Sequence, residues 1–329
     1  ILEARRAEDE DLLLFHDRDY IEILRASNMG FPVQASSNFG LGPGDNPVFQ
    51  GLFDWSRLVT GASLQAASIV DSGEADIAFS ISGGLHHALA AMASGFCYIN
   101  DPVIAIMSLL NRGRKVAYID IDAHHGDGVQ EAFYDTNKVL TISIHEAGTM
   151  LFPGTGFEEE IGKGEGEGYS VNIPMPPYAD DELFVYAFDE IVPPLIGHFR
   201  PDIVVSQLGV DSFSSDPLAH LKYTNNGFST VVRKIRDCSP RWVALGGGGY
   251  DVANVARAWT LAWAIINNQE IPDEIPADFL DRHPDEGFRS RRIRDEMHIE
   301  QGTRKEQMRK EVEGVIGYIK GKVFPKIGL

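Results

Sequence analysis

An α/β fold, a parallel β-sheet with helices on both faces, is the architecture this 329-residue sequence predicts. Three observations predict it. Apolar runs of strand length recur along the chain, most of them rich in β-branched residues. Longer amphipathic segments separate them. Turns carrying His, Asp and Tyr follow the runs, at the edge where a parallel sheet opens to ligands.

The strand-length runs are 77–81, 116–121, 139–144, 203–208 and 242–245, apolar on both faces as strands covered from both sides must be. Helical patterns occupy 58–70, 181–199, 225–236 and 252–266. The Gly/Glu stretch 162–168 reads as a loop, and no internal repeat is evident. From Asp285 onward charges cluster, among them Arg289, Arg291, Arg292 and Arg294, with few apolar positions before Val312. That pattern fits a peripheral helix or a solvated surface and carries no chemistry.

Composition narrows the function. Twenty-nine Lys and Arg face 48 Asp and Glu, a formal net charge of −19, so the basic face that neutralises phosphates is missing and nucleic acid is not an expected partner. Apolar residues make up 43% of the chain, enough for a substantial core. Cys97 and Cys238 are the only cysteines, too few for a disulfide scaffold or a thiolate zinc cluster, and a reducing, cytoplasmic setting is expected. No apolar stretch is long enough to span a membrane and no signal segment opens the chain, so no membrane partner is expected. The first residue is Ile1 rather than Met, which points to an N-terminus that begins elsewhere.

Chemistry collects at the strand ends. His86 and His87 follow the first run; Asp120, Asp122, His124 and Asp127 cluster at and after the end of the second; Asp211 follows the fourth; four glycines and Tyr250 follow the fifth. Residues two apart on extended chain point to one side, so Asp122 and His124 can converge on one ion, and Asp211 offers a third ligand. Two carboxylates and one imidazole leave a zinc-sized ion with an open position, the catalytic arrangement; the same set accepts ferrous iron. Asp120 and Asp127 can each hold the far nitrogen of one histidine, giving His/Asp pairs suited to acid–base work.

Those residues lie in stretches that resemble the histone deacetylase family, including its prokaryotic acetoin-utilization branch. The stretches are Gly83-Gly-Leu-His-His-Ala88, Ser94-Gly-Phe-Cys-Tyr-Ile-Asn-Asp101, Tyr118-Ile-Asp-Ile-Asp-Ala-His-His-Gly-Asp-Gly128, Phe152-Pro-Gly-Thr-Gly156, Leu208-Gly-Val-Asp211 and Leu245-Gly-Gly-Gly-Gly-Tyr250. The resemblance implies an arginase-like single-domain fold over residues 1–272, with 273–329 a charged, helical peripheral segment. It implies a strand and helix ahead of the segment that opens here.

It further implies hydrolysis of the acetyl amide of acetyl-lysine in a protein or peptide. The zinc ligands would be Asp122, His124 and Asp211. His87 would act as base and then acid, assisted by His86, with Tyr250 polarising the acetyl carbonyl. Gly95, Phe96 and Phe152 match the acyl-lysine tunnel, Leu218 its gate, and Asp45 the rim carboxylate that holds the substrate backbone. Potassium sites are implied at Asp120, Asp122, His124 and Ser143 and at carbonyls near Phe133 and Val139. Pro217 stands where some nuclear members carry an Arg linked to inositol phosphate, so corepressor-type regulation is not implied. Three alternatives stand beside this reading: an acetylpolyamine amidohydrolase, a two-metal ureohydrolase and an inactive acyl-lysine-binding module. Phe213 occupies the place of the ureohydrolase's second carboxylate.

Overall fold

The computed structural model describes residues 1–288, 290–296 and 299–329, which leaves Arg289 outside the described residues. Helices α1 (Asp9–Leu12), α2 (Arg18–Ala26) and α3 (Leu52–Ser72) precede strand β1 (Ile77–Ser80). There follow α4 (Asp101–Leu110), β2 (Val116–Asp120), α5 (Asp127–Phe133), β3 (Val139–Glu146), β4 (Ser170–Met175), α6 (Asp181–Phe199), β5 (Ile203–Gln207), α7 (Asn225–Cys238), β6 (Trp242–Leu245) and α8 (Val252–Ile266). The C-terminal segment adds α9 (Ala277–Arg282), α10 (Thr303–Tyr318) and, after a π-helical turn, α11 (Phe324–Ile327).

Among the described residues the sheet is all parallel, in the order β1-β6-β5-β2-β3-β4. Every residue of β2 is buried, and the alternation of side chains decides which layer each one joins. Ala117 and Ile119 face one core with Leu140, Ile142, Val204, Trp242 and Ala244. Val116 and Tyr118 face the other with Val139, Ile203, Val205 and Val243. Helices α6, α7, α8 and α10 cover the first core, and α3, α4 and α5 the second. The expected covered parallel sheet is therefore present.

Three elements differ from the sequence expectation. β4 is a sixth strand, and Pro174 sits in it without penalty to a second ladder because β4 lies at the sheet edge. The first long helix starts at Leu52, six residues before the expected pattern. In the tail, Met308, Val312 and Ile316 of α10 are buried in the core that packs on the sheet, so this stretch is not solvated surface.

The strand order places the site. After β2 the chain moves outward to β3 and β4, and after β5 it moves the opposite way to β6. Loops leaving β2 and β5 thus diverge and open a crevice at their carboxyl ends, the topological switch point of an open α/β sheet. Asp120, paired in register with Gln207 on one side and Ser143 on the other, marks that edge.

Candidate active site

Asp122 and His124 leave the end of β2, and Asp211 leaves β5 across the crevice. One donor atom from each lies within 4.8 Å of the others, and all three residues are buried. His124 Nδ1 stands 2.9 Å from Asp211 Oδ2 and 3.2 Å from Asp122 Oδ1. The free oxygens are fixed from behind. Asp211 Oδ1 accepts the Ala123 N–H at 2.8 Å, and Asp122 Oδ2 accepts from the Gln207 side chain at 2.6 Å and the Gly248 N–H at 2.8 Å. Gly248 is needed for this approach, because a Cβ there would lie 2.2 Å from Asp211 Oδ2.

Two buried carboxylates facing one imidazole call for positive charge among them. Burial opposes charge on His124, yet the Asp211 and Asp122 carboxylates outweigh it and raise the imidazole to about 11. A divalent ion answers the same demand with a donor set of one nitrogen and carboxylate oxygens, which suits zinc. The residues present therefore fit the implied metal.

His86 and His87 follow β1 and meet this group from the side. His86 Nδ1 is 2.7 Å from Asp120 Oδ2, His87 Nδ1 is 2.7 Å from Asp127 Oδ1, and the two Nε2 atoms are 3.0 Å apart. Burial disfavours a charged His86, but Asp120 and Asp122 overcome it and raise the ring to about 9. His87 goes the other way, to about 4, because burial and the neighbouring His86 charge act together against the pull of Asp127. Tyr250 keeps its proton: burial and the Asp122 and Asp211 charges push its phenol far above the ordinary value.

Aromatic rings wall the mouth. Phe152 meets His87 at 5.0 Å between ring centroids and His124 at 6.4 Å, and Phe96 meets Tyr250 edge-on at 5.6 Å. Phe96, Phe152, Tyr250 and Leu218 remain 39–45% exposed. Gly95 has φ +49°, and a Cβ there would stand 2.5 Å from the His87 ring and 2.9 Å from Phe152, so only glycine lets the floor close beneath them. Asp45 is exposed on a loop tied down next to it by Asn46 to the Cys97 carbonyl and by the Tyr98 hydroxyl to the Pro47 carbonyl.

The sequence of the matching domain covers residues 1–266, and that domain is the histone deacetylase domain. The chain belongs to the histone deacetylase family. The acetoin utilization protein AcuC of Bacillus subtilis (strain 168) is 41% identical over 288 residues, 85% of this chain and 74% of that protein. Histone deacetylase 1 of Homo sapiens is 42% identical over 279 residues, 84% of this chain but only 58% of that protein. The crystal structure of a histone deacetylase homolog from Aquifex aeolicus superposes with a TM-score of 0.90 at 35% identity, covering 97% of this chain and 88% of that one. A histone deacetylase homolog complexed with SAHA gives 0.89 at 36% identity, with the same coverage. No helix among the described residues is long and apolar enough to cross a membrane.

In this histone deacetylase family chain the structure thus brings together Asp122, His124, Asp211, His86, His87, Asp120, Asp127 and Tyr250, with Gly95, Phe96 and Phe152 around them. Two supporting residues were not singled out from the sequence. Asp101 accepts the Gly84 and Leu85 N–H groups and the Ser63 hydroxyl, fixing the turn that delivers the histidine pair, and burial lifts its carboxyl to about 6. Gln207 braces Asp122. A Gln closing a buried strand is itself a signal, since a buried amide needs partners.

Proposed function

We propose that this chain hydrolyses the acetyl amide of N6-acetyl-lysine in protein or peptide substrates, releasing acetate. The observation that carries the reading is geometric: His87, held at Nδ1 by Asp127, sets its ring 6.0 Å from that of His124 in the buried Asp122–His124–Asp211 group, with Phe152 against both rings. Held by those three ligands, a zinc ion supplies Lewis-acid activation of water and of a carbonyl. The chain's own residues do the rest. His87 Nε2 takes the proton of the attacking water, and the new C–O bond turns the acyl carbon tetrahedral. Tyr250 donates its hydroxyl hydrogen to the oxyanion so formed. As the C–N bond breaks, His87 returns the proton to the lysine nitrogen, leaving acetate and a free amine.

Phe96 and Phe152 hold the neutral four-carbon stem and exclude water, Leu218 closes the mouth, and Asp45 accepts N–H groups of the substrate backbone. The −19 charge of the whole chain is a field effect, which speaks to encounter rate rather than to fit within the tunnel. Zinc content measured together with acetate release from an acetyl-lysine peptide tests the reading. Stoichiometric zinc with catalytic acetate release is expected. Zinc and peptide binding without turnover would make the chain a binding module, and two metals with hydrolysis of a guanidino substrate would make it a ureohydrolase.

A further inference from the structure

We propose that Asp216 is a positioning residue that sets Tyr250 and Leu218 at the mouth of the site, a role that rests on the deacetylase reading above. Asp216 lies in the loop between β5 and α7 and is 6% exposed. Its Oδ1 accepts the Leu218 N–H at 2.9 Å, and its Oδ2 accepts the Tyr250 N–H at 2.8 Å. One buried carboxylate therefore joins the backbone of a tunnel wall to the backbone of the oxyanion donor.

Tyr250 needs such an anchor because of what precedes it. Residues 246–249 are all glycine, the residue with the most backbone freedom to lose and no side chain to pack. Two carboxylates from other segments clamp this stretch. Asp122 takes the Gly248 N–H, and two residues on Asp216 takes that of Tyr250. The loop of Asp216 is fastened to the start of α8 a second time, by Ser215, whose hydroxyl donates to Asp251 at 2.6 Å and accepts from the Asn254 side chain at 2.9 Å. Bonds from N–H to an ionised carboxylate are roughly twice as strong as neutral ones. A misplacement of about 1 Å in a reacting group costs on the order of 10²-fold in rate, so the clamp bears directly on turnover.

A carboxylate suits both bonds because each oxygen is an acceptor. An asparagine offers one acceptor and turns an NH2 toward the other N–H. Both Asp216→Asn and Asp216→Glu are to be measured with an acetyl-lysine peptide, alone and combined with Tyr250→Phe. Each single variant is expected to retain zinc, to lose about tenfold in kcat through Tyr250 and to raise KM through Leu218. In the Tyr250→Phe background the kcat loss should shrink to within about twofold while the KM rise persists, because the group that Asp216 positions is gone. Full multiplication of the two kcat losses, or unchanged kcat and KM in the single variants, would overturn the positioning role while leaving the deacetylase reading intact. An undiminished kcat in Tyr250→Phe alone would overturn that reading and this role together.

Discussion

His86 and His87, adjacent in the chain, face each other through their Nε2 atoms at 3.0 Å while each is tied at Nδ1 to a different carboxylate. One of the two must donate across that contact and the other accept. The electrostatics choose: with His86 raised to about 9 and His87 lowered to about 4, His86 carries the proton across the contact and His87 Nε2 is the unprotonated acceptor at neutral pH.

That asymmetry predicts unequal effects. His87→Ala removes the group that moves the proton and should lower kcat by ~10²–10⁴-fold. Asp127→Asn keeps an acceptor for the His87 N–H but removes its charge, and should cost about 10–100-fold. Turnover at matched zinc content checks the order. Equal losses, or a larger one for Asp127→Asn, would mean that Asp127 does more than orient His87.

Asp211→Ala should lose zinc and activity together, since it removes a donor and leaves the Ala123 N–H buried without its acceptor. A hydroxamate, which chelates through two oxygens, should inhibit the unaltered protein strongly and bind this variant poorly. Elemental analysis and inhibitor titration provide the readouts. Retention of stoichiometric zinc with full turnover would show that the ligand set is different.

How far the sequence spoke depended on contrast. Strands β2, β3 and β5 stood out because apolar and β-branched residues dominate them up to their polar ends, with Ser143 and Ser206 the exceptions. β4, with Asn172 and Pro174 inside six residues, carries turn-forming residues that only an edge position tolerates, and its edge position is a tertiary fact. α4 was hidden for the opposite reason: it is buried almost all round, so its sequence lacks the amphipathic period by which helices are recognised. In α10 the buried Met308, Val312 and Ile316 recur every four residues but are outnumbered by charges. The metal and histidine residues were legible because unusual types sat at unusual places, whereas Asp101 and Asp216 are aspartates in turn-rich segments, where that residue is common.

His16 predicts a loss of stability in acid. It is buried, its Nδ1 bonds the Ala90 carbonyl, and its Nε2 accepts the Asn100 N–H at 3.0 Å, steadying the segment that carries the histidine pair. Burial lowers it from 6.5 to about 4. Because the folded value is depressed, the neutral ring's contribution is full above about 6.5 and is lost as pH falls through about 4. The full displacement corresponds to on the order of 3 kcal/mol. Urea unfolding at pH 7.5, 5.5 and 4.5 should show the decline, and His16→Gln should start less stable but fall less steeply. An identical slope in the variant would assign the acid sensitivity elsewhere.

The last prediction weighs field against tunnel. A net charge of −19 raises the local concentration of polycations and so favours encounter with acetylated polyamines. Binding one also requires a free carboxylate at the entrance for its second ammonium. The residue that the deacetylase reading puts at the gate is Leu218, 39% exposed and uncharged. Asp216, which contacts it, is engaged by two N–H groups, Glu146 is engaged by the His220 ring and N–H, and Asp251 by Ser215. Asp45 is exposed, and in the proposed rim role it would accept N–H groups that a peptide backbone supplies and a polyamine lacks. An acetyl-lysine peptide should therefore show a higher kcat/KM than acetylspermidine, and Asp45→Ala should harm the peptide more. Measuring both substrates at two salt concentrations separates the causes, since salt screens the field and leaves the tunnel's preference in place. A polyamine preference that persists at high salt would mean that the site itself recognises the second ammonium, and the substrate assignment would have to be reversed.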